Sequence, residues 1–335
     1  MANNRFRVAV IGAGMIANAA HLPAWKHIHE DAEVVAVADI EEWRAQESAK
    51  RYDVPLAYGD WRRMLAEVKP DIVSVATPNM YHKEITIAAL KGGAHVLCEK
   101  PIALTLAEVD AMTQAAQESG KVLAEAFMYR HHPQTLKVKE IVDSGALGKL
   151  QLIKGAFTFT LTREGDIRLN KEMGGGSIWD VGCYPISYAR TLAGAEALEV
   201  FGWQVAAQSG IDESFYGQIK FENGVYAQFD SGFKSPFRSR VEIVGTDGVL
   251  TVPDPFKPER TSEILLARGD KTEKIKIKGG MLYMGEVDDM CDAILHNKPP
   301  RVSLADSRSN VAVILALLES ARSGKPARVA GERKS

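Results

Sequence analysis

Two stretches of this 335-residue chain have residue types and spacing that bear directly on chemistry. The first is Gly12-Ala13-Gly14-Met15-Ile16-Ala17, which follows the apolar run Val8-Ala9-Val10-Ile11 and opens a helical pattern. In that context Gly12 permits a tight turn, Gly14 lets backbone approach a pyrophosphate, and the small Ala17 allows close helix–sheet packing, with a helix amino terminus toward the phosphates. Asp39 ends the next strand, 22 residues after Ala17, where an acid takes the adenosine ribose hydroxyls. A carboxylate there, reinforced by Glu41 and Glu42, repels a 2′-phosphate, so NAD is favoured over NADP; Arg44 is the nearby cation that could reverse the preference. The second stretch, Ala76-Thr77-Pro78-Asn79 with His82, leaves a strand at the carboxyl edge of a sheet, where open α/β sheets bind ligands. It reads equally well as a turn with helix-capping chemistry. Two further clusters read otherwise. Gly174-Gly175-Gly176 lacks the Lys-Ser/Thr of a phosphate loop and is taken as a flexible approach to a later turn. The adjacent His131 and His132, placed in a loop or strand, point apart and have no carboxylate at helical ligand spacing, so no metal site is expected.

The elements that must position these residues follow from periodicity. Up to residue 126, short β-branched runs (7–11, 34–38, 72–76, 95–98, 122–126) alternate with helical patterns (16–28, 41–52, 61–67, 82–92, 106–119). Apolar strands separated by helices of this length form right-handed βαβ units, hence an α/β fold with a doubly wound parallel Rossmann sheet. Later segments alternate with period two (150–162, 197–207, 214–221, 225–233, 240–244, 249–252, 264–267, 274–277), with turns at Glu222-Asn223-Gly224 and Thr246-Asp247-Gly248. They predict a second α/β domain with a large, open, mostly antiparallel sheet, followed by helices over 284–296 and 304–323. The expected division is a dinucleotide-binding domain over 1–126 and a substrate-binding and oligomerisation domain over 127–335, with helix 304–323 available to pack back on the first. Composition agrees with two soluble domains: 46% apolar and 25% charged residues, and 41 basic against 43 acidic side chains, so neither nucleic acid nor an anionic membrane is favoured as a partner. The amino terminus lacks a secretory pattern, the longest apolar run (311–318) is short of a membrane span, and Cys98, Cys183 and Cys291 read as reduced thiols; a cytoplasmic setting is expected.

Glu99-Lys100-Pro101, at the end of a further strand, completes a recognisable set. With Gly12 to Ala17, Ala76-Thr77-Pro78-Asn79 with His82, and Gly174 to Tyr184, the chain resembles the Gfo/Idh/MocA family along essentially its whole length. The resemblance implies a Rossmann domain binding NAD or NADP through Gly12, Gly14, Met15, Ile16, Asp39, Ala76 to Asn79, His82, Glu99 and Lys100. It implies catalysis by Lys100 and active-site groups from an aspartate four residues before a histidine. Here Asp180 is present but Tyr184 stands in place of the histidine, which resembles the branch of glucose–fructose oxidoreductase, aldose dehydrogenases and dihydrodiol dehydrogenases, as do the segments 127–130, 165–168 and 237–245. The expected substrate is a sugar or polyol, bound by Lys100, Arg168, Asp180 and Tyr184 in a cleft between the domains, and the expected assembly is a homodimer or homotetramer through the second sheet.

The chemistry is consistent with that implication. Hydride transfer from a carbinol carbon to nicotinamide needs a base for the hydroxyl proton, and the reverse reaction needs an acid. Tyr184 is a poor base at its unperturbed pKa of ~10, but a nearby ammonium and the cationic nicotinamide ring stabilise phenolate. Asp180, four residues earlier, shares a helix face with Tyr184 if the segment is helical; alternatively Pro185 opens a helix running to Leu192, with Asp180 on the turn before it. Arg168 reads equally as a sugar-hydroxyl ligand or a salt-bridge partner, and Phe157 and Phe159 as core or as a wall for a sugar ring. Two other functions fit the same motifs: redox-assisted glycoside cleavage or transhydrogenation with a retained cofactor, and a non-catalytic NAD(P)-sensing regulator.

Overall fold

The computed structural model describes residues 5–28, 30–163 and 165–330. The chain divides into two compact units, one running to His131 and taking in Tyr283–Ser307, the other holding His132–Leu282 and the chain from Arg308. The strands of the first unit are β1 (Phe6–Ile11), β2 (Ala32–Ala38), β3 (Leu56–Tyr58), β4 (Ile72–Val75), β5 (His95–Glu99) and β6 (Leu123–Ala126). Those of the second are β7 (Leu150–Thr160), β8 (Ala197–Ala206), β9 (Asp212–Phe221), β10 (Tyr226–Gly232), β11 (Lys234–Gly245), β12 (Val249–Val252), β13 (Thr261–Arg268), β14 (Lys271–Lys278) and β15 (Ala327–Arg328). The α-helices are α1 (Leu22–His27), α2 (Glu42–Tyr52), α3 (Trp61–Val68), α4 (His82–Lys91), α5 (Leu106–Ser119), α6 (Pro133–Asp143), α7 (Cys183–Ala193), α8 (Met284–Leu295) and α9 (Leu304–Ser323).

In the first unit all six strands are parallel, in the order β3-β2-β1-β4-β5-β6. The strand order reverses between β1 and β4, and the loops after these two strands, at Gly12 and Ala76, flank the switch point at which such sheets bind ligands. Central strands are buried on both faces, as parallel sheets require, and this is why their sequences read as unbroken apolar runs. Helix ends carry the expected chemistry: Asp60 accepts the Arg62 N–H at the start of α3, and on α5 Thr105 Oγ1 accepts the Glu108 N–H while the Glu108 carboxylate accepts the Leu104 N–H, with Gly120 ending the helix at φ +65°. The helix α8 joins this unit because Val287, Met290 and Cys291 bury themselves in the same core as Val8, Val10, Trp25 and Ile72. A single cut after Ala126 therefore leaves out Tyr283–Ser307, whose apolar face needs the Rossmann core. Of α9, only the turn Leu304–Ser307 belongs with the first unit; farther along, Ser320 Oγ accepts the Gly202 N–H of β8, both within the second unit.

The second unit is a nine-stranded sheet in the order β14-β13-β12-β11-β7-β10-β9-β8-β15. Only the central β7–β10 pair is parallel; every other neighbour runs antiparallel. One face carries α7, whose first turn comes so close to β7 that a Cβ on Gly155 would lie 2.7 Å from the Pro185 Cβ. The other face is open, with Trp203, Tyr216 and Tyr226 about half exposed. Three elements escape the sequence reading. β3 and β15 are too short to show periodicity, and α6 begins where a loop or strand is expected. His131 closes a 3-10 turn, and His132 caps α6 by accepting the Gln134 N–H at its Nδ1, 3.1 Å away, so neither histidine is on a strand. β11 extends well before residue 240; the irregular pairing around Pro236, whose carbonyl accepts from Thr158 Oγ1, hides the alternation.

Candidate active site

In the first unit the fingerprint loop is built for close approach. Gly12 has φ +95°, and a Cβ there would meet the Ala76 carbonyl oxygen at 2.5 Å, so only glycine lets the loops after β1 and β4 touch. Gly14 is bare, with nothing within 4 Å of where its Cβ would be, and Met15 beside it is exposed. Asp39 closes the loop on its far side: Oδ2 accepts the Ala13 N–H (2.7 Å) and Oδ1 the Glu41 N–H (2.9 Å). The half-buried Ile16 leads into a wide π-helical turn, Ala17–His21, in which the Leu22 N–H reaches back five residues to the Ala17 carbonyl. Pro23 has no N–H to offer, and the Asn18 carbonyl accepts the Tyr52 hydroxyl instead.

Thr77 Oγ1 is buried without a protein partner. A bare backbone at Gly14, an unpartnered hydroxyl at Thr77 and a carboxylate at Asp39 fit the pyrophosphate, nicotinamide and ribose portions of a dinucleotide. Pro78 leads into a 3-10 turn that Asn79 begins. His82 is fully buried, 3.0 Å from both the Thr77 carbonyl (Nε2) and the Pro101 carbonyl (Nδ1). It ties the loops after β4 and β5 together.

Glu99 lies under the half-buried Lys100, whose peptide bond to Pro101 is cis. Its Oε1 is 2.8 Å from His21 Nε2, and its Oε2 accepts the Lys100 N–H at 3.1 Å. Ser74 Oγ is 2.8 Å from the other ring nitrogen, His21 Nδ1. Burial pushes the Glu99 carboxyl up, but the hydrogen bond and charge of His21, with Lys100 and His82, outweigh it and hold the carboxyl below its usual range. Glu286 of α8, equally buried, has no partner on either oxygen; burial and then the Glu99 charge keep it well above that range. Sequence reasoning missed His21, Ser74 and Glu286. The one available signal was a histidine inside the alanine-rich stretch Ala17-Asn18-Ala19-Ala20-His21, on what should be an apolar helix face.

In the second unit Asp180 lies on another wide turn, Ile178–Gly182, and Tyr184 in the first turn of α7, which Gly194 ends at φ +61°. The wide turn runs without a break into α7, so Asp180 and Tyr184 lie on one continuous helical run and Pro185, the third residue of α7, does not open it. The Tyr184 ring is 5% exposed, edge-on to Phe157 (5.3 Å) and tilted against Phe256 (5.6 Å). Phe157 is buried and Phe159 packs on Phe233, so both belong to packed aromatic clusters. Arg168 donates from Nε to Asp180 Oδ2 (2.7 Å) and from Nη1 to Asp166 Oδ1 (3.2 Å); of its two expected roles the ion pair is the one formed. The glycine run is not flexible: a Cβ on Gly175 would meet the Arg168 carbonyl oxygen at 2.5 Å, and Gly176 has φ +122° with Asp212 against it. Asp212 accepts the Ser177 hydroxyl (2.6 Å) and the Ile178 N–H (2.7 Å), anchoring the turn that carries Asp180; burial nonetheless pushes its carboxyl up to about 6. Among the described residues, no three His, Cys, Asp or Glu side chains are placed to hold a metal ion, and no helix is long and apolar enough to cross a membrane.

Comparison with known proteins bears on both units. Residues 6–127 match the model of the GFO/IDH/MocA oxidoreductase family with its NAD-binding Rossmann fold, and residues 135–251 match the GFO/IDH/MocA C-terminal domain. The chain is 32% identical over 295 residues to a D-xylose 1-dehydrogenase (NADP(+)) of Haloferax volcanii, covering 87% of this chain and 90% of the relative. Among solved structures it is similar to a 3-ketoreductase from Actinomadura kijaniata in complex with NADP and TDP-benzene (28% identity, TM-score 0.90, 95% and 98% of the two chains). It is also similar to an aldose–aldose oxidoreductase from Caulobacter crescentus complexed with glycerol (25% identity, TM-score 0.89, 97% and 100%). The chain belongs to the GFO/IDH/MocA family of NAD(P)-dependent oxidoreductases, enzymes that act on CH–OH groups.

Proposed function

We propose that the protein interconverts a hydroxyl and a carbonyl group on a sugar or related polyol, with Lys100 and Tyr184 as the acid/base pair and Asp180 and Arg168 fixing the substrate side. The observation that carries this reading is the setting of Tyr184: a phenol enclosed by Phe157 and Phe256, one helical turn after an aspartate whose own charge is held by Arg168. Sugar-directed relatives, the xylose dehydrogenase and the aldose–aldose oxidoreductase, support the substrate class.

Bound nicotinamide supplies the hydride acceptor or donor. Tyr184 takes the hydroxyl proton in the oxidative direction and returns it in the reductive one. Lys100 is the cation that offsets the charge of the phenolate, and its ammonium also donates to the substrate oxygen as negative charge develops there. NAD is the preferred cofactor, because Asp39 at the end of β2 meets a 2′-phosphate with like charge. The open sheet face mediates a homo-oligomer, and three buried thiols, Cys98, Cys183 and Cys291, outside any disulfide support a cytoplasmic setting. Single-turnover hydride transfer on a substrate found by screening aldoses tests the pair: Lys100→Met and Tyr184→Phe should each slow transfer by about 10²-fold or more. Unchanged rates in both variants would refute the mechanism.

A further inference from the structure

Serine, histidine and carboxylate are in line beneath Lys100: Ser74 Oγ to His21 Nδ1 at 2.8 Å, and His21 Nε2 to Glu99 Oε1 at 2.8 Å. Hydrolases use such a line to activate a serine, but Ser74 lies inside β4 and, like His21, is 0% exposed, so no substrate reaches it. The line therefore works in the other direction, toward the carboxylate. Ser74 Oγ holds one ring nitrogen of His21, the other ring nitrogen faces Glu99, and the second oxygen of Glu99 accepts the Lys100 N–H.

Glu286 provides the internal contrast. It is as buried as Glu99, yet no protein group donates to either of its oxygens. Burial pushes the Glu286 carboxyl well above its usual range, whereas the hydrogen bond and charge of His21 hold that of Glu99 below it. The groups that act on Glu99 are His21 from the turn before α1, His82 from α4, Lys100 and Cys98 on its own strand end, and Tyr283 and Glu286 from the start of α8.

We propose that Ser74 and His21 are positioning residues that act through Glu99: they keep a negative charge against Lys100, so that the lysine meets the substrate oxygen as an ammonium. The inference rests on Lys100 being the catalytic cation, and its test reads the lysine without any substrate. Competitive acylation of the cofactor-free protein across pH, quantified for the Lys100 peptide by mass spectrometry, gives the titration midpoint of that amine. Glu99→Gln and His21→Leu should each lower the midpoint by about 1–3 pH units, the effect of losing a neighbouring opposite charge. The double variant should fall no further than Glu99→Gln, because His21 acts only through that carboxylate. His21→Gln, which keeps a donor toward Glu99, should stay near the parent and serves where His21→Leu fails to fold. In turnover, the pH profile of kcat should move with the midpoint, and in His21→Leu it should do so while NAD(P)H affinity holds.

An unmoved midpoint in folded His21→Leu and Glu99→Gln proteins overturns the proposal, as does a further drop in the double variant. Full activity of Lys100→Met would instead refute the catalytic reading, whatever the labelling shows.

Discussion

Glu125 offers a quantitative check on how the first unit handles buried charge. It lies in β6, 2% exposed, with one oxygen accepting the Ile102 N–H at 2.9 Å and the other unpartnered. Burial, with a smaller push from Asp306, lifts its carboxyl from the usual 4.5 to about 7, against the opposing effects of Ser307, the Ile102 N–H and, least, Arg130. The unfolded chain releases this proton near pH 4.5 and the native chain near 7, so between those values the native state binds more protons. Stability therefore falls as pH rises through that window, and it is fully present only below it. At about 1.4 kcal/mol per pH unit, the penalty above pH 7 is on the order of 3 kcal/mol. Glu125→Gln removes the charge at nearly constant shape. Urea unfolding of the parent and the variant, followed from pH 4.5 to 8.5, should give two curves that diverge steadily, the variant gaining on the parent by on the order of 3 kcal/mol across the range. The contributions of Asp212 and Glu286 are common to both proteins and cancel in the difference. Any cost of placing an amide in the pocket offsets the curves without tilting them. Parallel curves would show that Glu125 is ionised in the native state and would refute the argument.

Three further outcomes are expected. Gly12→Ala forces a Cβ to 2.5 Å from the Ala76 carbonyl at a positive φ, and should weaken NAD(P)H binding by about 10- to 100-fold, a strain of about 1–3 kcal/mol; fluorescence titration showing parent-like affinity would contradict it. Arg168→Met strips Asp180 of its ion pair and should lower kcat for the sugar by about tenfold or more while leaving cofactor affinity alone; a change confined to cofactor binding would count against the assignment. Trp203→Glu combined with Tyr216→Glu charges the open sheet face and should convert the proposed homo-oligomer to monomer by light scattering; a monomeric parent or an unchanged oligomeric mass would refute the proposed interface.

The Rossmann half was legible because its strands are buried on both faces and its loops carry glycine where only glycine fits. Gly12, Gly14 and Asp39 stand where the fingerprint put them, and the turn at Asn223-Gly224 joins β9 to β10 as its residues dictate. His21 was not legible, since the wide turn before Pro23 shifts the helical phase by one residue and carries a polar ring onto a face that a regular helix would make apolar. The segment 283–307 was assigned by chain position, but its partners are first-unit residues a long way off in sequence, a distance that periodicity does not register. At Arg168 the sequence offered two roles with equal force; only the distance to Asp180 separates them.

The contact between Gly155 and Pro185 bears on how such an enzyme can change its preferences. With no side chain at 155, the start of α7 rests directly on the middle of the nine-stranded sheet, and the chain has no slack there: a single added methyl would have to displace a proline ring or bend the strand. Tyr184 is therefore carried at a fixed height, one residue from that contact point. In the proposed reaction, a new substrate would have to be fitted around a phenol of fixed position, by exchanging the groups that line the approach to it.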